Sequence, residues 1–248
     1  MTTRHNLGTL GAALDHPVVP LAFGTSGRRG LLVDLTQLEI FINALAELRY
    51  LQTLPQTEGG IRAGDVFFFA ADLRPSSTTL IAAGRGELAQ AIEFAIRAAD
   101  MTPVYLGHIP TPALTAYALS KGKGSMMVTG SHIPFDRNGY KTNTSQGELL
   151  KSHEEPIHQW VEEVRREVYE VSYDLSPFDC RGAFKDGSRA LPPVEAEAKS
   201  FYIRRYVDFL GPEALRGLRV LVYQHSAVGR DLLVELLTEL GAEVIALG

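Results

Sequence analysis

The chain has 248 residues, 45% of them hydrophobic and 21% charged, with a formal net charge of −5. A chain of this length buries a substantial core and has room for more than one domain. Its mildly acidic balance argues against a surface built for nucleic acid or an anionic membrane, but leaves room for a small basic pocket holding a phosphorylated ligand. The single cysteine, Cys180, permits no internal disulfide and suits a reducing compartment. Neither a signal peptide nor an apolar run of the roughly 18 to 20 residues a membrane span needs is legible. A cytoplasmic protein is therefore expected.

Residues 1–20 are mixed and end in Pro17 and Pro20, which predicts an extended arm. The first firm helix is expected at Thr36, whose hydroxyl caps it while Glu39 reaches back as a capping box. Leu38, Phe41, Leu45 and Leu48 then recur at helical spacing and predict one core-facing stripe. Val66-Phe67-Phe68-Phe69-Ala70 reads as a strand buried on both faces, as a parallel sheet requires. Ser76 or Ser77 is expected to open a long helix running to about Ala99. Pro103 to Leu106 reads as a strand, and Thr111-Pro112 as a cap followed by a proline in the first helical position.

Ser125 to Thr129 is a further apolar strand, followed by a loop over 130–140. A helix is expected over 146–170, kinked or interrupted at Pro156. Residues 171–194 have weak pattern and predict a linker and domain boundary. Beyond it, a helix over 196–210, a strand over 219–223, a helix over 229–240 with Gly241 at its end, and a strand over 243–247 make one βαβ unit. The alternation predicts a layered α/β first domain, residues 1–180, followed by the start of a second, similar α/β domain, residues 195–248.

Three segments carry chemistry. The strongest is Thr129-Gly130-Ser131-His132-Ile133-Pro134, followed by Asn138-Gly139-Tyr140-Lys141. It places a serine on a loop after a buried strand, where α/β folds put their ligands. A serine is a poor nucleophile without a base or an activating charge, and here a histidine is adjacent and a lysine lies ten residues on. The second segment is Phe23-Gly24-Thr25-Ser26-Gly27-Arg28-Arg29-Gly30. A glycine-rich turn offers backbone N–H groups to an anion, and arginine supplies bidentate phosphate contacts. The third is Asp72-Leu73-Arg74-Pro75-Ser76-Ser77, readable either as a helix cap with an Asp–Arg pair or as part of a site. His153 and His158, five apart, do not share a helical face as a zinc pair would.

The order and spacing of these segments resemble the α-D-phosphohexomutases, the phosphoglucomutase and phosphomannomutase kind of enzyme. The serine segment is similar to that family's Thr-Ala-Ser-His-Asn-Pro loop with its following Asn-Gly-x-Lys, with Gly130 in place of Ala and Ile133 in place of Asn. The glycine-rich turn resembles the family's Gly-Thr-Ser-Gly-x-Arg-Gly signature, and residues 72–77 its Asp-x-Arg-x-Ser-Ser element. The resemblance implies that Ser131 is carried as phosphoserine, with His132 beside it. Arg29, not Arg28, would be the active-site arginine, and Lys141 would transfer a proton or neutralise phosphate. Thr25, Ser26 and Gly27 would contact phosphate.

The implied reaction is an isomerase's: a hexose 1-phosphate and 6-phosphate interconvert through a 1,6-bisphosphate. The implied cofactor is Mg²⁺, with Ser131, through its phosphoryl group, as the ligand this chain supplies. The implied partner is a phosphorylated hexose, with no nucleic acid and no membrane. The family's metal loop, Asp-x-Asp-x-Asp-Arg, is absent from these 248 residues, as are its sugar-selecting and distal phosphate loops. Phosphoryl transfer depends heavily on charge neutralisation, so the chain by itself is expected to be inactive or nearly so. The alternative is a non-catalytic phosphosugar-binding or interaction module.

Overall fold

The computed structural model describes residues 8–24, 27–82 and 84–248. In chain order the elements are α1 (Leu10–Ala13), β1 (Arg28–Leu31), α2 (Gln37–Thr53), β2 (Val66–Ala71), α3 (Pro75–Thr78), β3 (Leu80–Ala82), β4 (Arg85–Gly86), α4 (Leu88–Ala98) and β5 (Thr102–His108). They continue with α5 (Thr111–Ser120), β6 (Ser125–Val128), β7 (Arg137–Thr144), β8 (Gly147–Glu148), α6 (Glu154–Glu170), α7 (Glu197–Leu210), β9 (Arg219–Tyr223), α8 (Arg230–Glu239) and β10 (Glu243–Leu247).

The main sheet runs β5-β2-β6-β7-β1, with β8 paired to β7. β2 is parallel to β5 and β6, while β7 is antiparallel to β6 and β1. The Phe-rich strand β2 explains the layering. Phe67, Phe69 and Ala71 pack into a core with α2, α4 and α6. Phe68 and Ala70 point the other way, into a core built with α5, α7 and α8. Burial on both faces is why β2 shows no polar alternation. The expected α/β layering is thus present as helices on both sides of a sheet. β9 and β10 form a separate parallel pair joined through α8, as the βαβ pattern predicts.

Several expectations need correction. The N-terminal arm holds the short helix α1, whose Leu10 is fully buried. Thr36 caps α2 by accepting from the Glu39 N–H, but Glu39 does not reach back. Its carboxylate is drawn to Arg165 and Asn43 instead. α2 is buried nearly all round rather than along one stripe, because α4 and α6 flank it.

The long helix expected from Ser76 is broken. α3 is a single turn, and a β3–β4 hairpin intervenes before α4. Gly86, at φ 92°, holds that hairpin closed where a side chain would meet the Thr79 carbonyl. Thr111 is the first residue of α5, with Pro110 at the cap, so the proline falls one position later than expected.

The loop after β6 closes at residue 136, and Asn138 to Lys141 lie within β7. Residues 147–148 pair with β7, so α6 starts only at Glu154. Pro156 then sits in its first turn, where the missing N–H costs nothing and no kink follows. The weakly patterned segment 171–194 is not bare chain. Phe178 and Phe184 are buried and stacked at 4.9 Å between centroids, and Arg189 lies over Phe184 and Phe94.

Candidate active site

The two glycine-containing motifs meet where β1 pairs with β7. Arg28 faces Tyr140 and Arg29 faces Gly139 across the ladder. Alternation along each strand sorts the side chains. Arg28, Tyr140 and Thr142 turn inward and converge on the buried carboxylate of Glu47 on α2. Arg28 Nε donates to Glu47 Oε1 at 2.6 Å, the Tyr140 hydroxyl donates to the same oxygen at 3.2 Å, and the Thr142 hydroxyl donates to Oε2. Burial depresses the Arg28 guanidinium's pKa, but Glu47, Tyr140 and Glu39 together outweigh it and the net shift is upward. Burial and the negative Glu47 push the Tyr140 hydroxyl well above its ordinary range. The guanidinium also stacks 4.0 Å from the Phe23 ring centroid.

Arg29 and Lys141 are the neighbours of these inward residues, and both are half-buried. Arg29 Nη1 donates to the Arg28 carbonyl at 2.7 Å and the Tyr140 carbonyl at 3.1 Å. Burial lowers its pKa, Asp72 opposes that, and Arg74 adds to it, so Arg29 lies within electrostatic reach of the serine loop's supports. The Lys141 ammonium makes no hydrogen bond or ion pair with the described residues. Gly27, at φ 82°, lets the signature turn lie against this strand. A Cβ there would come 2.8 Å from Lys141 Cγ and would strike the Tyr140 carbonyl. The turn itself is closed by the Gly24 N–H donating to the Gly27 carbonyl at 2.8 Å. Thr25 and Ser26, expected phosphate contacts, lie outside the described residues.

Ser131 stands on the exposed loop that leaves β6, in the left-handed region at φ 53°. Non-glycine residues rarely adopt that conformation without support from their surroundings. The support is visible. The Ser131 N–H donates to Thr129 Oγ1 at 2.8 Å, and the preceding Gly130 N–H donates to Asp72 Oδ2 at 3.0 Å. Ser131 Oγ and His132 Nδ1 are 3.2 Å apart, so the histidine is placed to exchange a proton with the hydroxyl.

Asp72 and Arg74 are the residues that the sequence left ambiguous, and both prove to hold this loop. Asp72 Oδ1 accepts from the Arg74 N–H at 3.0 Å and the Ser77 hydroxyl at 2.6 Å. Arg74 donates to the Ile133 and Pro134 carbonyls in the loop and to that of Arg137 at the start of β7, and its Nε lies 3.7 Å from Asp72 Oδ2. Asn138, beneath the loop, donates to both Ser76 and Ser77 at 2.8 and 3.0 Å. Gly130, a departure from the resembled pattern, lies against the Arg74 guanidinium, and a Cβ would come within 2.5 Å of its Cζ.

The structure therefore brings Gly27, Arg29 and Lys141 together at the β1–β7 junction, and Ser131 with His132 on the loop beyond β6. A cavity of about 450 Å³ bordered by Gly24, Gly27, Lys141, Glu148 and His153 adjoins the first group, and Ser131 is not in its wall. Among the described residues no group of three or more His, Cys, Asp or Glu side chains could hold a metal ion. The described residues thus do not by themselves fit a magnesium site. Among the described residues no helix is long and apolar enough to cross a membrane.

Comparison with known proteins identifies the family. The model for "Phosphoglucomutase/phosphomannomutase, alpha/beta/alpha domain I" matches residues 20–167. A phosphomannomutase of Sinorhizobium fredii (strain NBRC 101917 / NGR234) is 37% identical over 227 residues, covering 91% of this chain and 42% of the relative. One of Salmonella muenchen is 33% identical over 225 residues, covering 91% and 40%. The chain thus spans about two fifths of the length of these relatives. A crystal structure of a phosphoglucomutase/phosphomannomutase family protein from Burkholderia thailandensis superposes with a TM-score of 0.62 at 21% identity, over 90% of this chain and 42% of that one. By its matched domain and its relatives, this chain belongs to the phosphoglucomutase/phosphomannomutase family.

Proposed function

We propose that the protein is a phosphohexomutase in which Ser131 carries the transferring phosphoryl group. The observation that supports this most directly is Ser131 itself: a serine held in a left-handed conformation on an exposed loop, 3.2 Å from His132. In the forward half-reaction a hexose phosphate's free hydroxyl attacks the phosphorus of phosphoserine. The new sugar O–P bond forms as the Ser131 Oγ–P bond breaks, and the hydroxyl proton passes to a nearby base. The serine oxygen leaves with the bond's electron pair and takes up a proton. The 1,6-bisphosphate then returns its other phosphoryl group to Ser131 by the reverse step.

His132 is the nearest group to move a proton at Oγ. Arg29 and Lys141 supply positive charge at the β1–β7 junction, where negative charge on a transferring phosphoryl group is stabilised best by fixed cations. The glycine-rich turn, with Thr25, Ser26 and Gly27, is assigned to phosphate contact. Magnesium would add further charge neutralisation through the phosphoryl oxygens; its remaining ligands are not among the residues described. The name phosphomannomutase carried by two relatives supports a mannose phosphate as the substrate. Residues 1–180 would form the phosphoserine domain, and residues 195–248 would belong to a second.

The test is phosphoryl uptake. The purified chain, incubated with mannose 1,6-bisphosphate and examined by intact mass and peptide mapping, should gain one phosphoryl group at Ser131. Ser131→Ala should gain none. Uptake at another residue, or undiminished uptake by the alanine variant, sinks the assignment. Turnover is a separate expectation. With the metal, sugar-selecting and distal phosphate loops of the resembled family absent from its sequence, this chain should convert mannose 1-phosphate to the 6-phosphate negligibly even with Mg²⁺, and sustained conversion would refute that.

A further inference from the structure

We infer that Arg74 is a positioning residue for Ser131, and that Gly130 is the partner that lets it act. This deepens the phosphoserine reading and rests on it. Arg74 sits among the cations of the site, where an arginine would ordinarily be taken for a phosphate ligand. Four of its five donors, however, already have acceptors. A guanidinium has five N–H groups in one plane. Nη1 donates to the Pro134 carbonyl at 2.9 Å and the Arg137 carbonyl at 3.1 Å. Nη2 donates to the Ile133 carbonyl at 2.6 Å and the Ser131 carbonyl at 3.4 Å. Nε faces Asp72 Oδ2 at 3.7 Å.

Three carbonyls of the serine loop, and that of Arg137 at the start of β7, thus converge on one planar cation, and the loop is wrapped around it. One of those carbonyls belongs to the nucleophile's own residue. A lysine has the charge but not the fork, and could not reach four acceptors spread around a plane. Asp72 completes the unit, because its Oδ2 accepts from the Gly130 N–H and its Oδ1 from the Arg74 N–H. Gly130 allows the close approach. A methyl group there would collide with the guanidinium carbon Cζ (2.5 Å) and with the adjoining Cδ (3.0 Å). Arg74 could escape only by releasing the carbonyls. Gly130 and Arg74 are therefore coupled, and removing either should loosen the same loop.

Amide hydrogen exchange on the full chain tests this without requiring activity. Arg74→Gln and Arg74→Lys should each speed exchange at the Ser131 and Ile133 amides by about tenfold, with β2 and β6 unchanged. Gly130→Ala should do the same, and the Gly130→Ala/Arg74→Gln double variant should be no worse than either single one. Additive effects, or loop exchange that does not respond to Arg74, would overturn the inference. So would both Arg74 variants speeding exchange across the whole sheet, since that marks a general structural prop.

A kinetic arm separates positioning from direct phosphate binding. In Arg74→Lys the rate of phosphoryl uptake at saturating mannose 1,6-bisphosphate should fall about tenfold with the half-saturating concentration unchanged. A raised half-saturating concentration at an unchanged rate would make Arg74 a ligand and overturn the inference. If the unaltered chain takes up no phosphoryl group, the functional reading fails, and the exchange result still decides the role of Arg74.

Discussion

The candidate site stands on two ionic networks that differ in burial. Beneath β1 and β7, Arg28 and Glu47 pair with side chains only 5% and 1% exposed. At the rim, Arg74 and Asp72 are 15% and 10% exposed, and the arginine spends its hydrogen bonds on an open loop. A buried pair gains much from Coulomb attraction but loses heavily on desolvation, so breaking one side is costly while replacing both is tolerated. The pair nearer the rim acts chiefly through the loop atoms it holds, and so on local shape. The inner network keeps β1 against β7, and with it Arg29 beside Lys141. The outer one shapes the backbone around the nucleophile.

The largest expected effect breaks the inner network. Glu47→Leu leaves the Arg28 guanidinium buried without its acid, and Arg28 Nη2 already lacks a hydrogen-bond partner. A loss of about 3–5 kcal/mol in urea unfolding is expected. Adding Arg28→Met should recover most of it, and a double variant as unstable as the single would show that the charge pair is not what matters. Asp72→Ala comes next, because it leaves the Gly130 N–H and Ser77 hydroxyl without their acceptor, costing about 1–3 kcal/mol by the same measurement. Arg74→Lys should shift global stability by less than about 1 kcal/mol, despite its effect on the loop. An Arg74→Lys loss matching that of Glu47→Leu would erase the distinction between the two networks.

The smallest effect is a pH dependence. Tyr105, whose buried hydroxyl has no hydrogen-bond partner, is pushed up to about 12 by burial. The fold favours its neutral form. The stability this contributes is fully present below the unfolded tyrosine's value of about 10 and drains away as pH rises toward the folded value. Tyr105→Phe should therefore leave neutral-pH stability within about 1 kcal/mol and flatten the alkaline decline. An unchanged alkaline decline would assign it elsewhere, with Tyr140 the first candidate.

The contrast between the networks also explains what the sequence could reveal. β2 was legible because five consecutive apolar residues need no distant information. The loop that carries Ser131 was legible because glycine and proline after an apolar strand mark a loop, whereas the roles of Ser131 and Arg29 came from the family resemblance and stand as proposals. Glu47 was not, since a glutamate in a helix reads as a solvated position. Its partners lie 19, 93 and 95 residues away. The role of Arg74 was equally hidden: Asp-x-Arg before Pro-Ser-Ser suggests a local cap, whereas its acceptors are about 60 residues on. The β3–β4 hairpin was missed because the apolar residues around Leu80 and Ile81 suggested a continuing helix. The signal that could have found it was Gly84-Arg85-Gly86, two glycines inside that proposed helix.

The left-handed backbone at Ser131 also limits which residues could replace the nucleophile. Threonine carries the same hydroxyl, but β-branched side chains fit that region poorly. Aspartate and asparagine tolerate it far better. A carboxylate is thus the replacement the backbone accepts with least strain, and Ser131→Asp would place fixed negative charge where the phosphoryl group is proposed to sit. The loop's conformation, and not the hydroxyl alone, would then select serine over threonine at this position.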